Sequence, residues 1–460
     1  MSGQSVDILF EVSPGETRAA IVDADGNLLE FLVERIDRPE QEGGIHLGRV
    51  TKVEPSLGGV FIALGAGEDG FLRRSKGLHE GQSIIVQVTR ETSGMKGPKV
   101  TDKPSMVGRY LALTPSRSDT TYSGRLGSGR RRAEIEALED RLNEAAGAGV
   151  AVRASAAYAS DDEILAEAAR LAKEWAAIEA AASENRVPSV LAPPPGLIAR
   201  ILRDREGGEV VIDDPRVSRD IETMVRDRMP DRRGTIRRHD GRRPLFEAQG
   251  IAEAVEGVCD RIVTLPRGAR LIIDPVEALT AIDVDSGAGG KRAADDAILR
   301  TNLAVLPEVA RQIRLRNLSG LIVIDFISMR RKAIRAQFMQ SARRAFRHDP
   351  MQVDVMGMTA AGLLELTRRR GGAPLHDLLV RRAAASPVAA TASCAALRAI
   401  LRLTGPGRPV IVAAPTIIAA LEGPLAAARA EVDRRMGQPI ELRADALRRD
   451  WEAILERNSG

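Results

Sequence analysis

Apolar positions change their period several times along the chain, and each change marks a new element. Two stretches, residues 271–286 (LIIDPVEALTAIDVDS) and 321–329 (LIVIDFISM), are short runs rich in Ile, Leu and Val. Each carries aspartate where the apolar residues stop, which predicts two buried strands ending at a site. Strand alternation sets Asp283 and Asp285 on one face, with Ile282 and Val284 on the other, and Asp325 on the face of Leu321 and Val323. Earlier, alternating runs at 8–12 and 18–22 predict strands, and Asp25-Gly26 a hairpin turn into a third at 28–33. From 43 to 103, short β-rich segments separated by glycine turns predict a small barrel of the OB type, a fold that often binds single strands.

Helical periods follow. One runs from the basic triplet at 130–132 to about 146. A second is opened by Ser160 and Glu163 as a capping box, with Ile164, Ala168, Leu171, Trp175 and Ile178 on one face, so Trp175 reads as core. Four prolines and a glycine in VPSVLAPPPGL (187–197) mark a linker. Further helices are expected at about 216–229 and 301–316, and in the tail VIVAAPTIIAALEG suggests a strand then a helix, with more helical pattern at 432–458.

Chemistry concentrates at the aspartates. Two carboxylates about 4 Å apart repel by roughly 4 kcal/mol at an effective dielectric of 20, so a cation between them is the natural remedy. Oxygen-only ligation suits Mg²⁺, or Mn²⁺, rather than zinc. The plainer alternative is that these aspartates cap helices or turns. SGAGGKR at 286–292 looks like a phosphate loop, but Lys291 is followed by Arg292 rather than Ser or Thr, and Asp285 stands where the first glycine is required. Nucleotide hydrolysis is therefore excluded, and Lys291 and Arg292 are expected to steady a phosphate backbone instead. A formal charge of +4 permits nucleic-acid binding without demanding it. No apolar run reaches membrane-spanning length, and the first residues lack a secretion signal, so a cytoplasmic protein is expected. Cys259 and Cys394, far apart, provide no disulfide framework.

The segments EALTAIDVDS (277–286), TNL (301–303), ARQIRLRNL (310–318), GLIVIDFISM (320–329) and GLLELTRRR (362–370) closely resemble the catalytic domain of the ribonuclease E/G family of bacterial endoribonucleases. The resemblance implies an α+β multidomain fold. An RNase H-like subdomain (1–35 and 188–249) is interrupted by an OB-type RNA-binding barrel (36–103) and a 5′-sensor-like segment (104–187). A DNase I-like α/β catalytic domain (250–379), a linker (380–396) and a small C-terminal α/β domain (397–460) follow. It also implies that Asp283 and Asp325 hold the catalytic Mg²⁺, with Asp285 supporting from a position usually occupied by asparagine. By the same resemblance Phe61, Phe71 and Lys96 contact RNA, and Arg153, with Arg125 near the other side of the pocket, senses a 5′-monophosphate. Ala154 stands where relatives carry threonine. The family's Cys-Pro-x-Cys zinc link has only Cys394 in its place, so no zinc is expected there and any homodimer needs another interface. The function implied is a Mg²⁺-dependent endoribonuclease of RNA processing or decay that cuts single-stranded RNA and leaves 5′-phosphate products. The alternatives are an RNA-binding member with weak or lost catalysis, and a DNA-directed nuclease on the same fold.

Overall fold

The computed structural model describes residues 6–13, 16–35, 40–65, 67–73, 76–90, 97–205, 208–285, 295–347, 349–379, 389–401, 403 and 405–456. The chain divides into two compact units, Met1–Val380 and Arg381–Gly460.

In the first unit the N-terminal strands form as their alternation predicts. Asp7–Ser13, Glu16–Val22 and Leu28–Arg35 make an antiparallel meander, and Asp23 closes its second turn by accepting from the Asp25 and Asn27 N–H groups at 3.0 and 2.9 Å. Val210–Ile212 and Ile236–Arg238 extend the sheet in parallel fashion, so residues some two hundred positions apart share one layer. Alternation then divides its side chains. Ile8 and Phe10 pack with Ile201, Leu202 and Val225 of the helices Leu197–Asp204 and Pro215–Arg228. Leu9 and Val211 pack on the other face with Phe246 and Ile251, joined by Leu315 and Leu375 from the last third of the unit.

Ile45–Glu54, Gly59–Ala63, Gly70–Leu72, Lys99–Thr101 and Ser83–Arg90 pair in that order, and the first pairs back with the last to close a five-stranded barrel. Val50, Val60, Ile62, Val86 and Val88 fill it. Residues expected as linker add an edge: Ser189–Ala192 pairs antiparallel with the first barrel strand. Between barrel and linker sits a small four-stranded sheet covered by the helices Glu139–Ala146 and Asp161–Glu184. The predicted capping box at Ser160 and Glu163 forms, and Trp175 packs half-buried against this core. The helix expected over 130–146 is broken into Arg130–Glu136 and Glu139–Ala146.

The last third of the unit is a six-stranded sheet in the order Ile262–Thr264, Arg270–Pro275, Thr280–Asp285, Gly320–Asp325, Leu364–Arg368, Val353–Met358. The helices Asp295–Leu315 and Lys332–Ala345 cover one face with a core that includes Ile282, Val284, Ile322, Ile324, Val309 and Phe338.

The second unit carries a three-stranded sheet, Glu441–Ala444, Arg408–Ala413, Trp451–Glu456, with the helices Ala389–Ile400, Pro415–Glu422 and Ala426–Met436. The strand–helix expectation around 410–422 holds. The helical expectation for 432–458 does not: Gly437, at φ 70°, ends the helix after Met436, and two strands follow. Residues 389–396, expected as linker, belong to the first helix, whose Ala392, Ala396, Leu397 and Ile400 are buried.

Candidate active site

Thr280–Asp285 and Gly320–Asp325 run parallel as the two central strands, and their register places Asp283 opposite Asp325. Neighbouring strands lie about 4.8 Å apart, so the two carboxylates leave the sheet side by side. The strands are buried on one face only. Alternation sends Ile282, Val284, Ile322 and Ile324 into the helical layer, whereas Asp283 and Asp325 stand on the open face. Partial burial, and then the negative charge of Asp283, raise the Asp325 carboxyl above its ordinary value of 3.8.

Asp285 shares this face, but Arg270 on the adjoining strand donates to its Oδ2 at 2.6 Å. The extra negative charge expected from aspartate at this position is therefore met by a guanidinium. The end of the second strand is fixed from behind. Phe326 is buried against Phe338 with ring centroids 4.7 Å apart, and Asn302, fully buried on the helix Asp295–Leu315, grips Ile327. Its amide donates to the Ile327 carbonyl at 2.8 Å and its carbonyl accepts from the Ile327 N–H at 3.2 Å. The sequence signal for this clamp is an asparagine on the apolar stripe of Leu299, Leu306, Val309 and Ile313.

Among the described residues no cluster of three or more His, Cys, Asp or Glu gathers in a way that could hold a metal. The aspartate pair thus offers two carboxylates, too few for a closed zinc site. It fits Mg²⁺ or Mn²⁺, which bind through one or two carboxylates and keep places for water and phosphate oxygens. Lys291 and Arg292 lie outside the described residues, as does Lys96.

On the barrel, Phe61 and Phe71 face each other across antiparallel strands, both half-buried, with centroids 5.3 Å apart and planes tilted by 58°. Gly59 makes this possible, since a Cβ there would come within 2.5 Å of the Phe71 ring. The same register row continues to Lys52 beside Phe61 and Lys99 beside Phe71, both exposed. Two rings flanked by two ammonium groups, of which Lys52 is paired with Glu54 at 2.9 Å on the exposed surface, can stack bases and meet a phosphate backbone. Neither lysine was singled out from the sequence, because only barrel pairing brings them into line.

Arg153 follows the strand Gly149–Val152, and the short turn Ala154–Tyr158 behind it packs on the turn Gly124–Leu126 that carries the exposed Arg125. The structure thus brings the two arginine-bearing turns together. The Arg153 guanidinium is engaged within the fold: it donates to the Gly108 carbonyl and, at 2.6 Å, to Asp204. Asp204 is held below the ordinary carboxylate value by Arg203 and Arg153 against the effect of its burial.

The Ribonuclease E/G family model matches residues 105–371. Ribonuclease G of Haemophilus influenzae is 31% identical over 402 residues, covering 82% of this chain and 82% of that protein. Ribonuclease G of Escherichia coli K12 is 27% identical over 479 residues, 96% of this chain and 98% of that protein. Ribonuclease E of Nostoc is 34% identical over 363 residues, 74% of this chain and 52% of that protein. The collinear segments of the sequence, the matched span and relatives aligned over most of their length agree, and the chain belongs to the ribonuclease E/G family.

Proposed function

We propose that this protein is a divalent-metal-dependent endoribonuclease of RNA processing, cutting single-stranded RNA to leave 5′-phosphate ends. The observation that carries the reading is the opposition of Asp283 and Asp325 on adjacent parallel strands. Kinship with proteins named ribonuclease G and ribonuclease E supports RNA as the substrate.

Asp283 and Asp325 hold a magnesium ion, for which manganese can substitute. When bound, that ion supplies an activated water and stabilises charge on the scissile phosphate. Asp325 must be ionised to act as a ligand, and its raised carboxyl pKa makes that step depend on pH above the ordinary aspartate range. Arg270 holds Asp285, and Asn302 keeps the strand end carrying Asp325 in place. Phe61 and Phe71 stack bases while Lys52 and Lys99, with Lys96, meet the backbone, and Lys291 and Arg292 steady the RNA near the metal. Arg153, assisted by Arg125, receives a 5′-phosphate in exchange for part of its bond to Asp204.

The test is cleavage of a single-stranded, AU-rich oligonucleotide carrying either a 5′-monophosphate or a 5′-hydroxyl, in Mg²⁺ or EDTA, with product ends mapped. The reading expects cutting in Mg²⁺ alone, 5′-phosphate ends, and a preference for the monophosphorylated RNA that disappears in Arg153→Ala. Tight binding without cutting in any divalent ion would instead make the protein an RNA-binding member of the family.

A further inference from the structure

Away from the aspartate pair, a cavity of about 160 Å³ is lined by Val258, Cys259, Arg261, Ile273, Asp274, Pro275, Arg316, Leu318 and His376. It is far larger than the roughly 10–15 Å³ that one water needs. Arg316 is only 5% exposed. Its Nε donates to Gln312 Oε1 and its Nη1 to the Asp260 carbonyl, both at 2.7 Å, which fixes the plane of the guanidinium. Among the described residues nothing accepts from its buried Nη2, and His376 Nδ1, also buried, has no partner there either.

The charges around the cavity favour an anion. The one carboxylate lining it, Asp274, is held by Arg261 through bonds of 2.6 and 2.8 Å, and Asp260 meets Arg316 through its backbone. Arg316 is acted on by the Asp260 and Glu308 carboxylates without a direct ion pair to either among the described residues, so its buried Nη2 edge keeps an unmet demand for an acceptor. The remaining walls are aliphatic or the Cys259 thiol, which burial keeps towards its neutral form. A planar guanidinium with a free N–H edge, beside an imidazole nitrogen, recognises a small oxyanion through charge-assisted hydrogen bonds.

We propose that this cavity binds a small oxyanion of the phosphate type, held by Arg316 Nη2 and His376 Nδ1. The strand Arg270–Pro275 that contributes Ile273 and Asp274 pairs directly with the Asp283 strand, and Leu318 leads into the Asp325 strand. The anion therefore sits where it can reinforce both.

The test is calorimetric titration of the full chain with inorganic phosphate, using wild type, Arg316→Gln and Cys259→Leu. The last fills the cavity from a residue that makes none of the bonds described. One saturable site per chain is expected, weakened about tenfold or more in Arg316→Gln and lost in Cys259→Leu with its folded circular dichroism intact. Competition by adenosine 5′-monophosphate separates the sources: displacement means that a phosphate ester is accepted, and its failure means that the cavity takes free phosphate. Absence of saturable binding, or affinity unchanged in Cys259→Leu, would overturn the proposal even if Arg316→Gln failed to fold.

Discussion

A pair of like charges set side by side has a consequence for stability as well as chemistry. The Asp325 carboxyl has a folded-state pKa above its unfolded value. Its contribution to stability is therefore fully present below the ordinary aspartate pKa and is lost as pH rises through the raised value. At neutral pH without metal the ionised pair is a liability, which the proposed divalent ion would offset. Asp283→Asn should accordingly raise the unfolding free energy of the metal-free protein in urea slightly, by about 0.2–1 kcal/mol for an exposed pair, bring the Asp325 titration down towards 3.8, and abolish cleavage. A lower urea midpoint in this variant would show that Asp283 holds the fold together rather than a cation. The aspartates were legible because acidic residues interrupt Ile- and Val-rich runs. Arg270 was not, because its meeting with Asp285 depends on the register of two antiparallel strands.

Elements position these residues, and the helix Asp295–Leu315 shows how. Its Asn302 ties the helical layer to the backbone just beyond Asp325, so Asn302→Ala leaves the Ile327 N–H and carbonyl without that partner. The expected loss in urea unfolding is about 1–3 kcal/mol, and the surviving folded fraction should show reduced kcat with little change in KM. An unchanged kcat per folded molecule would confine Asn302 to a stability role. The barrel makes a separate prediction. Each of Phe61→Ala and Phe71→Ala should weaken RNA binding by about 1–3 kcal/mol, whereas Lys52→Ala and Lys99→Ala should each lower the slope of affinity against salt by roughly 0.7, the value for one phosphate contact on a single strand. Fluorescence anisotropy across a salt series distinguishes the two classes.

Some elements were misjudged for identifiable reasons. ELRA and WEAILE in the tail are rich in Ala, Leu, Glu and Arg, good helix formers, yet they are strands because Arg408–Ala413, with Val410, Ile411 and Val412, pairs with both. Tertiary pairing overrides local propensity there. Likewise the prolines around 188–195 suggested a linker, but an edge strand tolerates them at its ends, and Ser189–Ala192 lies on the barrel.

For the whole molecule, the N-terminal meander, the barrel and the two aspartate-bearing strands were readable from their alternation. The four-stranded sheet was not, because its strands, such as Met106–Val107 and Thr121–Tyr122, are too short to carry a period. What joins the sheets was not readable either. Glu167, buried on a helix, accepts from the Arg109, Tyr110 and Leu111 N–H groups at 2.6–2.8 Å, while Arg109 reaches the end of the helix Leu197–Asp204 and Asp231. No local pattern announces such bonds. The second unit has its own core, and Cys394 lies within its first helix. Elemental analysis of the purified protein should therefore find no stoichiometric zinc, and zinc chelation should leave its mass by light scattering unchanged. A zinc content of half an ion per chain, lost together with a dimer, would contradict this. Among the described residues no helix is long and apolar enough to cross a membrane.

The central claim is that Asp283 and Asp325 together hold the divalent ion on which cleavage depends. The most direct measurement is a Mn²⁺ titration followed by electron paramagnetic resonance, on wild type, Asp283→Asn and Asp325→Asn. One site per chain that disappears in both variants, while their circular dichroism is unchanged, is the predicted result. A Mn²⁺ site of undiminished affinity in either variant would place the metal elsewhere and contradict the account.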